Sequence, residues 1–316
     1  MTEADFLAAL RALPLHPAAR RLRDDSARLT RAPLVVTTDT LVEGVHFLPT
    51  DTPQDVAWKL VATNLSDIAG TGGKPDGILL NYPLTDDAWD RAFLEGLADV
   101  LIACDAQILG GDTVRLPPGA PRVLTVTAFG CDTPAPPRGG AGENDALWVT
   151  GTIGDAGAGL AIAQGQPGPA ALAARYRRPT PRLAEGRILA RLAHAMMDVS
   201  DGLLIDAARM AAASRLAVLR DLAAVPLSPA YVAHVGDDRP ARLAAASAGD
   251  DYELLFAMPA NAVPPLKATR IGRFARGEGL QLVDGGEEVP RPDRLGFQHE
   301  PPPKNRHSRL RGNDEA

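Results

Sequence analysis

Two spacings of apolar residues alternate along the chain, and each change of spacing marks a new element. The run Leu34-Val35-Val36-Thr37-Thr38 is apolar and β-branched and predicts a buried strand. From residue 55 to 69, Val56, Leu60, Leu65 and Ile68 return near one face of a helix. A second helix is predicted over 87–104, where Trp89, Phe93, Leu97, Val100 and Leu101 keep helical spacing. Short strands are predicted at 78–80, 107–109 and 123–129; the last alternates in part, as in a sheet with one face on a core. Residues 134–140 (Pro-Ala-Pro-Pro-Arg-Gly-Gly) break both spacings and predict a linker. Beyond it come a strand at 147–149, a glycine-rich turn over 151–159 leading into a helix, helices at 181–195 and 203–213, and strands at 253–257 and 269–274. Residues 1–15 predict an amphipathic helix, with Glu3 and Asp5 arguing against a signal peptide. The expected organisation is a mixed α/β (α+β) chain in two domains, 1–137 and 138–300, followed by a polar, disordered tail over 301–316.

Composition narrows the class. The 316 residues are 45% hydrophobic and 23% charged, enough apolar material for a sizeable core. A net charge of -6 argues against a broad nucleic-acid face. No apolar run approaches the roughly 18 residues that a membrane span needs, so no membrane partner is expected. The two cysteines, Cys104 and Cys131, form no Cys-x-x-Cys pair, which disfavours a disulfide framework or structural zinc and fits a cytoplasmic protein.

The chemistry lies in where the aspartates fall. Asp39 ends the first strand, Asp67 sits inside an apolar helix, Asp112 follows Gly110-Gly111, and Asp198 and Asp201 bracket Val199-Ser200. Asp24-Asp25 and Asp250-Asp251 are adjacent pairs. Carboxylates set among apolar residues are costly to bury unless neutralised. Lys59 and Lys74 are the main local cations, so hard divalent ions are the natural alternative. Each position has a structural reading too: Asp39 as the start of a turn, Asp67 as a polar residue near a helix end, Ser200 or Asp201 as a helix N-cap. The glycine turn at 151–159 suits either phosphate binding at a helix start or close packing. It is not a Walker A loop, and Gly72-Gly73-Lys74 is followed by Pro75 where a hydroxyl would be required. Protein-kinase catalytic-loop signatures are absent as well.

Taken in order, several blocks resemble the signature of the thiamine-monophosphate kinase family. They are Thr37-Thr38-Asp39-Thr40-Leu41-Val42-Glu43-Gly44-Val45-His46-Phe47, Asn64-Leu65-Ser66-Asp67-Ile68-Ala69, Gly110-Gly111-Asp112-Thr113, Val149-Thr150-Gly151-Thr152-Ile153-Gly154, Asp198-Val199-Ser200-Asp201-Gly202-Leu203 and Gly249-Asp250-Asp251-Tyr252-Glu253-Leu254. Arg23 stands where the family usually has glycine. The resemblance implies the two-domain fold of aminoimidazole ribonucleotide synthetase, its N-terminal α/β domain closing a β-barrel across a homodimer. It implies ATP as co-substrate, several Mg²⁺ ions and thiamine monophosphate as acceptor. By the same resemblance, Asp25, Thr37, Thr38, Asp39, Asp67, Asp112, Asp198 and Asp201 would hold metal. Gly111, Asp112, Arg138 and Ser200 would contact ATP, and His46, Asp250 and Phe297 the acceptor.

The implied reaction is direct transfer of the γ-phosphoryl group to an acceptor that is already an ionised phosphate, so no strong base is required. Phe297 would stack on the thiamine, with an acid offsetting its positive charge. Two other enzymes of the same superfamily, selenophosphate synthetase and a hydrogenase-maturation dehydratase, would want a reactive cysteine near the N-terminus or at the C-terminus. Here the first cysteine is Cys104 and the sequence ends Asn313-Asp314-Glu315-Ala316. A catalytically dead nucleotide-binding protein would be expected to have lost acids that this chain keeps.

Overall fold

A computed structural model describes residues 27–29, 34–84, 86–131 and 133–299. The first half carries β1 (Ala27–Leu29), β2 (Leu34–Val42), α1 (Pro53–Thr71), β3 (Lys74–Leu84), α2 (Asp87–Ala103), β4 (Ile108–Arg115) and β5 (Val123–Cys131). These strands form one open sheet in the order β1-β2-β5-β3-β4, antiparallel except for the β3–β4 pair. Residues 133–145 then run without helix or strand, where the proline- and glycine-rich linker was expected.

The second half carries β6 (Ala146–Thr150), α3 (Asp155–Ala163), α4 (Ala170–Arg177), α5 (Leu183–Leu189), β7 (Ala195–Asp198), α6 (Leu203–Ser214) and β8 (Ala217–Asp221). It continues with α7 (Pro229–His234), α8 (Arg239–Ala248), β9 (Leu254–Met258), β10 (Ala268–Ala275), β11 (Gly279–Asp284) and β12 (Glu287–Val289). Its sheet has the order β12-β11-β8-β10-β6-β9-β7, parallel only between β11 and β8. The predicted helix over 181–195 is shorter, ending at Leu189, because Ala195–Asp198 is drawn out as a strand against β9. The helix predicted for residues 1–15 and the tail over 301–316 lie outside the described residues.

α1 is the common support of the architecture, and both halves pack on it. Thr52 caps its start by accepting from the Asp55 amide at 3.2 Å, and Gly72, at φ 73°, ends it in a left-handed turn. Val56, Leu60, Leu65 and Ile68 are buried with Val35, Leu124, Val126 and Phe93 under the first sheet. Ala69 joins Leu189, Met196 and Phe256 of the second half. A Cβ on Gly70 would lie 3.1 Å from the Asp198 amide, so β7 runs close against α1. The strong burial of α1 on both sides is what sets Asn64 and Asp67 at the junction of the two halves.

A strap of basic residues between α4 and α5 reinforces that junction. Arg177 donates to Asp51 at 3.2 Å, Arg178 to Asp55, and the Pro179 carbonyl accepts from the Trp58 indole at 2.9 Å. On its other side Arg175 and Arg182 converge on Glu253, at 3.1 and 2.6 Å, and that carboxylate is fully buried.

Candidate active site

β2 sorts its side chains by alternation. Thr37 is buried and donates its hydroxyl to the Asp67 carboxylate of α1, and Asp39 follows on the same face. The Asp39 amide donates to Asn64 Oδ1 at 3.0 Å. Asp39 lies mid-strand, opposite Val126, which excludes the turn reading. Thr38 and Thr40 take the opposite face, where they pair with Thr127 at 3.1 Å and Thr125 at 2.7 Å. The Thr38 hydroxyl therefore points away from the Asp67 side, and only its main chain is shared with it.

Asp198 ends β7 against α1 and is 3% exposed. Asp201 and Asp206 follow at the start of α6, where Asp206 accepts from the amides of Asp201 and Gly202 at 3.1 and 3.2 Å. Gly202 is the cap position and has no side chain, so the first-turn Asp206 does what an N-cap from Ser200 or Asp201 was expected to do. Arg209 pairs with both Asp201 and Asp206.

Burial and mutual repulsion raise this group together. Asp67 is pushed well above the usual carboxylate range by burial and then by Asp39 and Asp198. Asp198 is raised to about 7 by burial, with Asp206 and Asp39 adding like charge, and Asp39 to about 6 by burial and Asp201. Asp206 rises to about 6 through burial, partly offset by Arg209. Arg138, at the end of the linker, lies close enough to draw both Asp198 and Asp206 back down. Among the described residues, no three His, Cys, Asp or Glu side chains close into a metal cage on their own. The donor set is nonetheless all hard oxygen with too little positive charge beside it. It suits an ion that takes one or two carboxylates and completes its shell from water and phosphate.

Gly111 and Asp112 sit elsewhere. A row of paired residues crosses the first sheet from Asp39 through Val126 and Leu80 to Gly111, placing β4 three strands from β2, roughly 14 Å away. Asp112 is exposed there, on an edge strand. A Cβ on Gly111 would fall 1.9 Å from the Leu80 carbonyl, so the approach of β4 to β3 alone demands glycine. Asp25 lies outside the described residues.

A second cluster gathers the expected acceptor residues. His46 Nδ1 accepts from the Val42 amide at 3.0 Å, leaving Nε2 as its protonated nitrogen when neutral. Burial first, then His299, lowers the His46 pKa. Its ring centroid is 6.5 Å from that of Phe297 and 5.4 Å from that of His299. Asp250 and Tyr252 take left-handed backbone angles, φ 61° and 52°, a conformation that costs about 1–3 kcal/mol each and concentrates at functional sites. Asp250 accepts from Lys59 at 2.7 Å and from the Tyr252 hydroxyl at 3.1 Å. Tyr252 stands between the clusters: burial, then Asp250, Asp39 and Asp198, raises its pKa well above the usual phenol value.

The glycine-rich turn resolves in favour of packing. At φ 92°, Gly154 starts α3, and its amide donates to both oxygens of Asp251, at 2.9 and 3.1 Å. A Cβ on Gly151 would strike Glu253, and one on Gly157 would strike Ala248. The helix start is thus filled by the chain's own buried carboxylate. Sequence reading missed the roles of Asp206 and Arg209, although an acid in the first turn of α6 was the available signal. It named Lys59 as a cation near the acids, without assigning it to Asp250.

Two family models match the chain: AIR synthase related protein, N-terminal domain, over residues 23–131, and AIR synthase related protein, C-terminal domain, over residues 142–284. A thiamine-monophosphate kinase of Caulobacter vibrioides is 39% identical over 324 residues, covering 94% of this chain and 91% of that protein. One from Escherichia coli K12 is 40% identical, covering 75% of each. A solved structure, AaThiL complexed with AMPPCP and TMP, superposes with a TM-score of 0.84 at 29% identity, covering 95% of this chain and 97% of that one.

Proposed function

The chain belongs to the thiamine-monophosphate kinase family, and from that premise we propose that it transfers the γ-phosphoryl group of ATP directly to thiamine monophosphate, giving thiamine diphosphate and ADP. The observation that carries this reading is the pairing of two unlike clusters across Tyr252: under-neutralised buried acids on one side, an aromatic pocket with a paired acid on the other.

Magnesium is part of the proposal. Asp39, Asp67, Asp198 and Asp201 would hold it, with Asp25 and Asp112 as further candidates and Thr37 and Thr38 contributing oxygens, the latter from its main chain. Bound there, Mg²⁺ supplies the positive charge that lets two phosphate groups meet in line. Thr37 and Asn64 hold the acids in place, through the Asp67 carboxylate and the Asp39 amide. Arg138, Gly111 and Ser200 are assigned to ATP. His46, Asp250 and Phe297 are assigned to the acceptor, Phe297 lying 39% exposed beside the His46 ring. The acceptor phosphate is itself the nucleophile, and a phosphoenzyme would add a step without lowering an evident barrier.

The active unit is proposed to be a homodimer, with residues 1–137 as the metal-, ATP- and dimer-forming domain and 138–300 as the second domain. β4 supports this: among the described residues it is an unpaired sheet edge with Ile108, Leu109 and Val114 about half exposed, the kind of edge that proteins cover. A cytoplasmic location is proposed as well. It agrees with two cysteines that form no disulfide and, among the described residues, no helix long and apolar enough to cross a membrane.

The test is turnover of chirally labelled ATP by purified protein with Mg²⁺, with and without thiamine monophosphate, and with mass measured by light scattering. Expected are acceptor-dependent ADP release, inversion at the γ-phosphorus and about twice the 33.2 kDa chain mass. Acceptor-independent ATP consumption would refute the activity, retention would refute direct transfer, and a monomer mass would refute the dimer.

A further inference from the structure

On the reading that the acceptor is thiamine monophosphate, we infer that Lys59 is a positioning residue that fixes the shape of the acceptor pocket by tying the His46 loop to the Asp250 turn. Lys59 rises from α1 and is 2% exposed. Its ammonium has three N–H donors. One meets the His46 carbonyl at 3.1 Å, and another meets Asp250 Oδ2 at 2.7 Å. The Tyr176 ring covers the same nitrogen, 4.1 Å from the ring centroid. Tyr176 is itself fixed, its hydroxyl donating to Asp51 Oδ2 at 3.1 Å, and Asp51 accepts from the Leu48 amide just beyond His46 and Phe47.

The consequence is specific. His46 belongs to the first half of the molecule and Asp250 to the second, and one buried ammonium bonds to both. An ammonium so enclosed does not reach a ligand; it acts through its partners. Asp250 has both oxygens engaged, Oδ2 by Lys59 and Oδ1 by Tyr252, while about a third of its side chain stays open to solvent. The pocket therefore offers the acceptor a carboxylate of fixed orientation whose charge is already matched. Without Lys59 that carboxylate loses its ion-pair partner and the His46 loop loses a tether. Breaking one side of a partly buried pair is costly because the other charge is left without its partner.

The test is steady-state kinetics on Lys59→Met, Asp250→Asn and the double variant. Lys59→Met is expected to raise KM for thiamine monophosphate by about 10²-fold with KM for ATP within about twofold of wild type. In the Asp250→Asn background the same change is expected to add less than about threefold, because residues acting through one another are not additive. Equal rises in both KM values, or effects that simply multiply, would overturn the role. Should Lys59→Met fail to fold, the double variant lacks both charges of the pair and carries the test by calorimetry with thiamine monophosphate alone. Affinity matching that of Asp250→Asn supports the role, and a further loss of about tenfold overturns it. A wild-type chain inactive on thiamine monophosphate would instead refute the acceptor assignment, whereas an active wild type with a KM-silent Lys59→Met refutes only the role of Lys59.

Discussion

Asp67 and Asp251 are the same residue type, and loss of hydration pushes both well above the usual carboxylate range, although Asp251 is buried and Asp67 half-buried. They differ in their company. Asp67 faces Asp39 and Asp198, with the Thr37 hydroxyl, among the described residues, to soften the repulsion. Asp251 also feels the charges of Glu253 and Asp155, but Arg175 draws it back down and both its oxygens accept from one backbone amide at the start of α3. One carboxylate faces its like charges with a hydroxyl for a partner, at a cost in stability that an incoming cation can repay, while the other is tied to a helix terminus. Burial and raised pKa alone would call both functional; the partners separate them.

The largest effect that bears on this contrast is expected from Asp67→Asn. It should lower turnover on the order of 10²–10³-fold at limiting Mg²⁺ and leave the circular dichroism unchanged. A well-folded variant with near-normal turnover would remove Asp67 from the metal site and the contrast with it.

Next comes pH. Asp39 and Asp198 are raised to about 6 and about 7, so in the folded state they hold protons more tightly than in the unfolded chain. Their contribution to stability is then greatest at low pH and is lost as pH rises from the ordinary carboxylate value of 3.8 towards about 7. The Mg²⁺-induced rise in melting temperature should accordingly be larger at pH 8 than at pH 5.5, by several degrees. An Mg²⁺ effect independent of pH would show that the ion does not bind these acids.

The smallest effect is expected from Asp251→Asn, which keeps an acceptor for the Gly154 amide. Turnover should stay within about twofold, and melting should fall by no more than about 4 °C. A loss of activity comparable to that of Asp67→Asn would mean that the helix start of α3 takes part in catalysis after all.

The sequence revealed these two acids unequally. Asp67 was legible because the order of the surrounding blocks named a family; alone, an acid inside an apolar helix also reads as a polar residue near a helix end. Asp251 was legible only as half of a pair, since nothing local shows that its partner is an amide 97 residues away. The longer elements of the first half were found from spacing, because β2, α1, α2 and β5 each bury a regular stripe. Short elements of the second half escaped. α4 is alanine- and arginine-rich with a weak stripe, β8 is a brief strand whose pairing is set by distant partners, and β11 and β12 form a short hairpin. The helix predicted over 181–195 ran too far because alanine and leucine favour helix locally, whereas β9 recruits Ala195–Asp198 into the sheet.

The alternation along β2 carries a consequence for how the gene can change. Neighbouring residues there serve two destinations: Thr37 and Asp39 the acid cluster, Thr38 and Thr40 the hydroxyl ladder with Thr125 and Thr127. Sliding this strand by a single position against β5 would turn Asp39 onto the threonine ladder and bring its hydroxyl neighbours in beside Asp67. An insertion or deletion of one codon ahead of β2 that shifted its pairing would thus exchange the charge on one face for the alcohols of the other, without altering a single residue of the motif.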